Sequence, residues 1–144
     1  MKQHLQRSLQ RDREIKSEAK LENLEKIIEF INTELDEYGF PLCFLNDINL
    51  IAEEIFTNIV YYAYAPGNGS VLIVISVTDK IILKFEDTGK PYNPLLQPDP
   101  DLEISMENRD IGGLGIFIVK KLADSIEYSR IDNRNILTVS KNLP

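Results

Sequence analysis

A chain of 144 residues, 43% hydrophobic and 27% charged, has the length and balance of one folded domain with a core of useful size. Its 16 Lys and Arg stand against 23 Asp and Glu, a formal charge of −7, which argues against a general nucleic-acid binder because phosphate neutralisation needs clustered cations. The single cysteine, Cys43, rules out an intramolecular disulfide, the apolar runs fall short of the roughly 20 residues that span a bilayer, and the start MKQHLQRSLQRDREIK lacks the apolar core of a signal peptide. The chain therefore reads as cytoplasmic, with no membrane and no direct nucleic-acid partner.

Residues 1–12 form a polar leading segment, and His4, the only histidine, lies in it as a solvated residue. Arg13 to Ala19 is a short first strand. From Leu21, the apolar residues Leu24, Ile27, Ile28, Ile31 and Leu35 recur at helical spacing, and Gly39 and Pro41 end that helix. A second helix is expected from about Leu45 to Tyr64, stopped by Ala65-Pro66-Gly67-Asn68-Gly69. Cys43 precedes it among apolar neighbours. Val71 to Val77 and Lys80 to Glu86 are β-rich runs joined by Thr78-Asp79. The Pro-rich, acidic stretch 88–111 is long for a loop and has the make-up of a lid. A third helix follows from Gly113 to about Asp124. Ile126–Ser129 and Ile136–Ser140 then make a hairpin around Asp132-Asn133-Arg134-Asn135. The expected class is α+β, an α/β sandwich over residues 13–144: a mixed, largely antiparallel sheet with helices packed on one face.

Three short stretches carry chemistry. Glu54 and Asn58 stand four residues apart on the flank of the second helix's buried stripe, which puts both on one side. A carboxamide and a carboxylate there suit a hard cation and the activation of a hydroxyl, although such pairs also occur on solvated helix faces. Glu86-Asp87-Thr88-Gly89 ends a strand with an acidic acceptor for an exocyclic amine, and Gly89 permits close approach of a ligand to backbone. Gly112-Gly113-Leu114-Gly115 opens a helix, where free N–H groups suit a phosphate. It follows a loop rather than a strand, and no Gly-Lys-Ser/Thr is present, so it is neither a dinucleotide fingerprint nor a P-loop.

Taken in order, Ala52-Glu53-Glu54-Ile55-Phe56-Thr57-Asn58, Asp87-Thr88-Gly89-Lys90-Pro91-Tyr92-Asn93-Pro94 and Arg109-Asp110-Ile111-Gly112-Gly113-Leu114-Gly115-Ile116 resemble the N, G1 and G2 boxes of the GHKL (histidine kinase-like) ATPases. Within that superfamily, Glu-x-x-Thr-Asn and the short lid look like the anti-sigma-factor serine/threonine kinases. The resemblance covers roughly residues 13–142 and implies a Bergerat-type ATP-binding fold with ATP and Mg2+ as cofactors. It implies Asn58 as the magnesium ligand, Glu54 as general base, and Asp87 and Gly89 at the adenine. Gly113 and Gly115 would offer N–H groups to the phosphates, with Gly112 and Leu114 shaping the turn, and Thr138 would support the adenine side. Lys26 falls where the anti-sigma members carry an arginine that reaches the γ-phosphate, which keeps the charge but loses the two-pronged fork. A sigma factor, an anti-sigma antagonist protein and a homodimer are the implied partners. The expected activity is transfer of the γ-phosphate to a serine or threonine of that antagonist. The alternative is a nucleotide-gated binding module.

Overall fold

The computed structural model describes residues 12–64, 67–99 and 111–144, with the side chains of 111–114 excepted. Among the described residues, nine elements carry the fold. They are β1 (Arg13–Glu18), α1 (Leu24–Leu35), α2 (Leu42–Asn58), a π-helical turn (Ile59–Ala63), β2 (Ser70–Val77), β3 (Lys80–Asp87), α3 (Ile111–Leu122), β4 (Ser125–Ile131) and β5 (Arg134–Asn142). The five strands form one sheet in the order β1-β2-β3-β5-β4, and every neighbouring pair is antiparallel. The sheet is thus antiparallel throughout rather than mixed.

Period-two alternation decides which face of the sheet is dry. In β3, Ile81, Leu83, Phe85 and Asp87 are buried while Ile82, Lys84 and Glu86 are half-buried. β2 and β5 supply Ile73, Ile75, Leu137 and Val139 to the same core, and the helices close it with Ile27, Ile31, Ile51, Ile55 and Val119. α2 is the central helix, packed against both α1 and α3. Burial of Ile27, Ile31 and Leu35 anchors α1, each side chain contributing about 1.5–3 kcal/mol. Ile31→Ala would cost about 2–5 kcal/mol through the cavity it leaves.

The ends of the helices differ from their sequence pattern in informative ways. α1 runs through a 3-10 turn to Gly39, whose φ of 65° ends it in a left-handed conformation that glycine adopts without strain. α2 begins at Leu42 rather than near Leu45, because the Pro41 carbonyl accepts from the amides of Phe44 and Leu45 (3.1 Å each) and starts the helix at once. Cys43 therefore lies exposed on the first turn, despite its apolar neighbours. At its far end α2 widens into the π turn, and the Ala63 carbonyl accepts from Lys90 N at 3.1 Å. β4 and β5 are joined by Asp132 (φ 51°) and Asn133 (φ 62°), a two-residue turn whose left-handed residues match strand twist.

Among the described residues, no helix is long and apolar enough to cross a membrane. Residues 100–110 of the expected lid lie outside the described residues, as do residues 1–11 of the leading segment, His4 among them. The near part of the loop holds a 3-10 turn at Pro94–Leu96, started by Asn93 Oδ1 accepting from Leu95 N at 2.9 Å.

Candidate functional site

The end of α2, the end of β3, the start of β5 and the first turns of α3 converge on two adjoining clefts. Glu54, Thr57, Asn58, Tyr61, Tyr62, Gly115 and Ile116 line the first, which has a volume of ≈ 100 Å³. The second is narrower, ≈ 20 Å³, and runs from Asn58 and Ala63 to Asp87, bounded by Tyr92, Pro94, Tyr128 and Asn135. Asn58 borders both. Tyr62 on the first cleft stacks against Tyr92 on the second, with ring centroids 5.2 Å apart and 18° between planes.

In the first cleft, helical spacing brings Glu54 and Asn58 to one side of α2. The Glu54 carboxylate lies against α3: a Cβ built on Gly115 would stand 2.5 Å from Glu54 Oε2. Burial pushes the Glu54 pKa above the usual carboxylate value, and neighbouring Glu53 pushes the same way. Asn58 Oδ1 is buried and has no hydrogen-bond partner among the described residues. Such an orphaned acceptor is costly unless something fills it. Its hard amide oxygen suits a divalent cation of the magnesium type. No group of three or more His, Cys, Asp or Glu stands ready to hold a metal among the described residues, so a cation here would take most of its ligands from elsewhere.

In the second cleft, Asp87 is 5% exposed. Its Oδ1 accepts from Gly89 N at 2.9 Å and from Asn135 Nδ2 at 2.8 Å. Burial raises the Asp87 pKa, opposed by the Asn135 and Gly89 hydrogen bonds and by the Arg130 charge. Arg130 also donates to the Gly89 carbonyl at 2.8 Å. Tyr64 ties the same loop down, accepting from Thr88 N and donating to the Ser70 carbonyl, both at 2.7 Å. Gly89 proves to be glycine for a packing reason. A Cβ there would meet the Ala63 carbonyl oxygen at 2.4 Å and its carbon at 2.7 Å.

Glu54, Asn58, Asp87, Gly89 and Gly115 are thus brought together, with α3 supplying the turn that holds Gly112, Gly113 and Leu114. The glycines lie inside α3, not before it. Gly115 leaves room for the Glu54 carboxylate.

Two expected residues are not brought in. Thr138 pairs across the sheet with Lys84, on the face opposite Phe85 and Leu137, and so faces away from the cleft. Lys26 is exposed on α1 and borders neither cleft. The residue that does stand opposite Asp87 in the strand register is Asn135, which sequence reasoning assigned to the turn. Tyr128 and Arg130, its neighbours on β4, were missed as well.

Comparison with known proteins gives a consistent picture. Residues 17–141 match the model of the histidine kinase-like ATPase domain. The serine/threonine-protein kinase BtrW of Bordetella bronchiseptica is 28% identical over 97 residues, covering 66% of this chain and 68% of the relative. The serine-protein kinase RsbW of Bacillus mycoides is 25% identical over 104 residues, covering 69% and 65% respectively. The chain thus spans about two thirds of the length of these curated relatives. Among solved structures, the RsbU and RsbW domains of a Mycobacterium tuberculosis protein superpose with a TM-score of 0.65 at 14% identity, covering 92% of this chain and 32% of that one. The blue-light activated histidine kinase of Erythrobacter litoralis superposes at 0.54 with 22% identity, covering 83% and 59%. Both likenesses speak to the fold.

Proposed function

The chain belongs to the histidine kinase-like ATPase domain family, and on that premise we propose that it is an ATP-dependent serine/threonine protein kinase of the anti-sigma-factor kind. Its substrate would be a serine or threonine of an antagonist protein, and it would double as a binding protein for a sigma factor, working as a homodimer in the cytoplasm. One observation carries the reading: the Glu54 carboxylate, with its raised pKa, shares a cleft beside the first turns of α3 with Asn58 Oδ1, which has no partner among the described residues. The names of the BtrW and RsbW relatives support the same activity.

ATP supplies the transferable phosphoryl group, and the magnesium it carries supplies charge neutralisation. This chain's residues would do the rest. Asp87 would accept from the adenine amine, and Asn58 Oδ1 would give the cation an oxygen ligand. The amides of Gly112 and Gly113 would meet phosphate oxygens at the positive end of α3. Glu54 would take the proton from the attacking hydroxyl, and a raised pKa makes it the better base for that step. The Asp87 cleft, at ≈ 20 Å³, has room for about one water. Tyr92 and Pro94, which wall it from the loop side, would move outward to seat a purine.

Labelled ATP incubated with the chain and candidate antagonist proteins tests the proposal. Magnesium-dependent labelling of a partner serine or threonine is the expected result, and no transfer to any partner with ATP still bound would overturn the kinase assignment. The exposed position of Lys26, away from both clefts, favours a second reading, a nucleotide-gated binding module. That reading expects Mg-ATP to change partner affinity without transfer.

A further inference from the structure

Asn135 is a buried polar side chain, 4% exposed, that the reading above does not use. All of its bonding capacity is spent. Nδ2 donates to Asp87 Oδ1 at 2.8 Å and to the Lys90 carbonyl at 2.9 Å. Oδ1 accepts from the Tyr128 hydroxyl at 2.5 Å and from Tyr92 N at 3.4 Å. An amide can make two bonds through each end, and these are the four. Turning the amide over would set its oxygen against a carboxylate and a carbonyl, and its NH2 against the Tyr92 N–H. One orientation is therefore fixed.

The consequence falls on Asp87. Both bonds it accepts, from Asn135 and from Gly89, end on Oδ1. Oδ2 accepts none among the described residues and is the oxygen left for the cleft. A carboxylate held by one oxygen presents the other as a pure acceptor, which complements an exocyclic amine and opposes a ring carbonyl. With both Asn135 donors already engaged, Asn135 has none to turn toward a carbonyl on the same ring position.

We propose that Asn135, pinned by Tyr128, is the positioning residue that aims Asp87 and thereby sets the preference of this site for a 6-amino purine over a 6-oxo purine. This rests on the reading of the two clefts as a nucleotide site. Tyr128 acts at one remove, as the hydroxyl that donates to the amide oxygen and anchors the side chain in place. The charged and ionisable groups around Asp87 are Arg130 and Tyr128 on β4 and Lys90 and Tyr92 in the loop. The helical side of the cleft, Ile55, Asn58, Ile59 and Ala63, brings none. The Asn135 bond favours the ionised form of Asp87 against the burial that disfavours it, so its loss raises the Asp87 pKa.

Calorimetric titration of the full chain with Mg-ATP and Mg-ITP, across pH, tests this with Asn135→Leu and Tyr128→Phe. Inosine triphosphate differs from ATP in carrying a 6-oxo group where ATP has the amine. Wild type should prefer ATP. Asn135→Leu should weaken ATP by about tenfold or more, the scale of a hydrogen bond to a charged group. It should weaken ITP much less, collapsing the ratio. ATP affinity should also begin to fall at a higher pH on acidification than in wild type. Tyr128→Phe, which keeps the ring, should move the ratio the same way by a smaller factor, and it decides the matter if Asn135→Leu does not fold. A folded variant that loses ATP and ITP affinity equally, with an unmoved pH limb, would overturn the positioning role. Wild type that binds ATP with no preference over ITP would overturn it too. Wild type that binds neither nucleotide would instead bring down the nucleotide-site reading beneath it.

Discussion

Gly115 on α3 and Glu54 on α2 share one space: a Cβ at position 115 would lie 2.5 Å from Glu54 Oε2 and 3.5 Å from its Cδ. The intruded atom is the free end of a flexible side chain, so the helices need not part. Gly115→Ala should therefore leave folding intact, and helix propensity can even add up to about 1 kcal/mol. The carboxylate must rotate away, however, and a base displaced by an ångström loses its geometry. We expect unchanged or raised thermal stability with phosphoryl transfer at least tenfold down. Full transfer in a folded Gly115→Ala protein would dissociate Glu54 from the chemistry.

Glu54→Gln keeps shape but cannot take a proton. Affinity for Mg-ATP should stay within a few-fold, while transfer falls by about 10²–10⁴. The pH profile gives a separate check. Burial and Glu53 raise the Glu54 pKa, and only the ionised form is a base, so transfer should fail on acidification at a pH above the ordinary carboxylate range. A flat profile down to that range would point to another base.

Asn58→Ala separates a ligand role from a structural one. The lost Oδ1 has no partner among the described residues, so nucleotide-free stability should change by less than about 1 kcal/mol. The upward melting shift produced by millimolar Mg-ATP should disappear. If it persists, Asn58 is not the cation's ligand.

Asp87→Asn trades function against stability. Asp87 has a folded-state pKa raised above its unfolded value, so its contribution to stability is greatest at low pH and is lost as pH rises through the folded pKa. At neutral pH its charge is a burden on the fold. The asparagine variant can still accept from Gly89 and Asn135 through Oδ1, so it should melt no lower than wild type near pH 7. It should bind ATP far more weakly, because a donor now faces the amine. A variant that instead melts well below wild type would contradict this balance.

Gly89→Ala should behave in the opposite manner. Its Cβ would strike the Ala63 backbone, which cannot swing aside as a side chain can, and overpacking of this kind costs about 1–3 kcal/mol. Denaturant unfolding with and without nucleotide should show the loss in both.

How much of this the sequence disclosed depended on where periodicity speaks. The four-residue spacing of Glu54 and Asn58 and the strand ending at Asp87 sit on strongly patterned elements, and they arrive where expected. Asn135 was hidden because Asp132, Asn133 and Asn135 are turn formers and the four-residue stretch reads as one turn, while only Asp132 and Asn133 take positive φ and pairing resumes at Arg134. Thr138 shows the converse. Its neighbours Leu137 and Val139 face the core, and period two alone sends it to the other side. The π turn at Ile59–Ala63 has no compositional mark, since Ile-Val-Tyr-Tyr-Ala suits an ordinary helix equally. The antiparallel direction of every strand pair depends on connections that no local pattern encodes.

The hairpin turn at Asp132 and Asn133 acts as a ruler for the cleft. Because those two residues close the connection in two steps, Ile131 meets Arg134 and the count along β5 then delivers Asn135 to Asp87. Adding or removing one residue between the strands would shift that count and turn β5 over. Ile136 or Arg134 would then be offered to Asp87, and the outward Thr138 would rotate toward the core. The composition of the pocket is thus written partly in the length of a turn that never touches it. Drift in this family member should be freer in the letters of that turn than in their number, so long as the left-handed pair is kept.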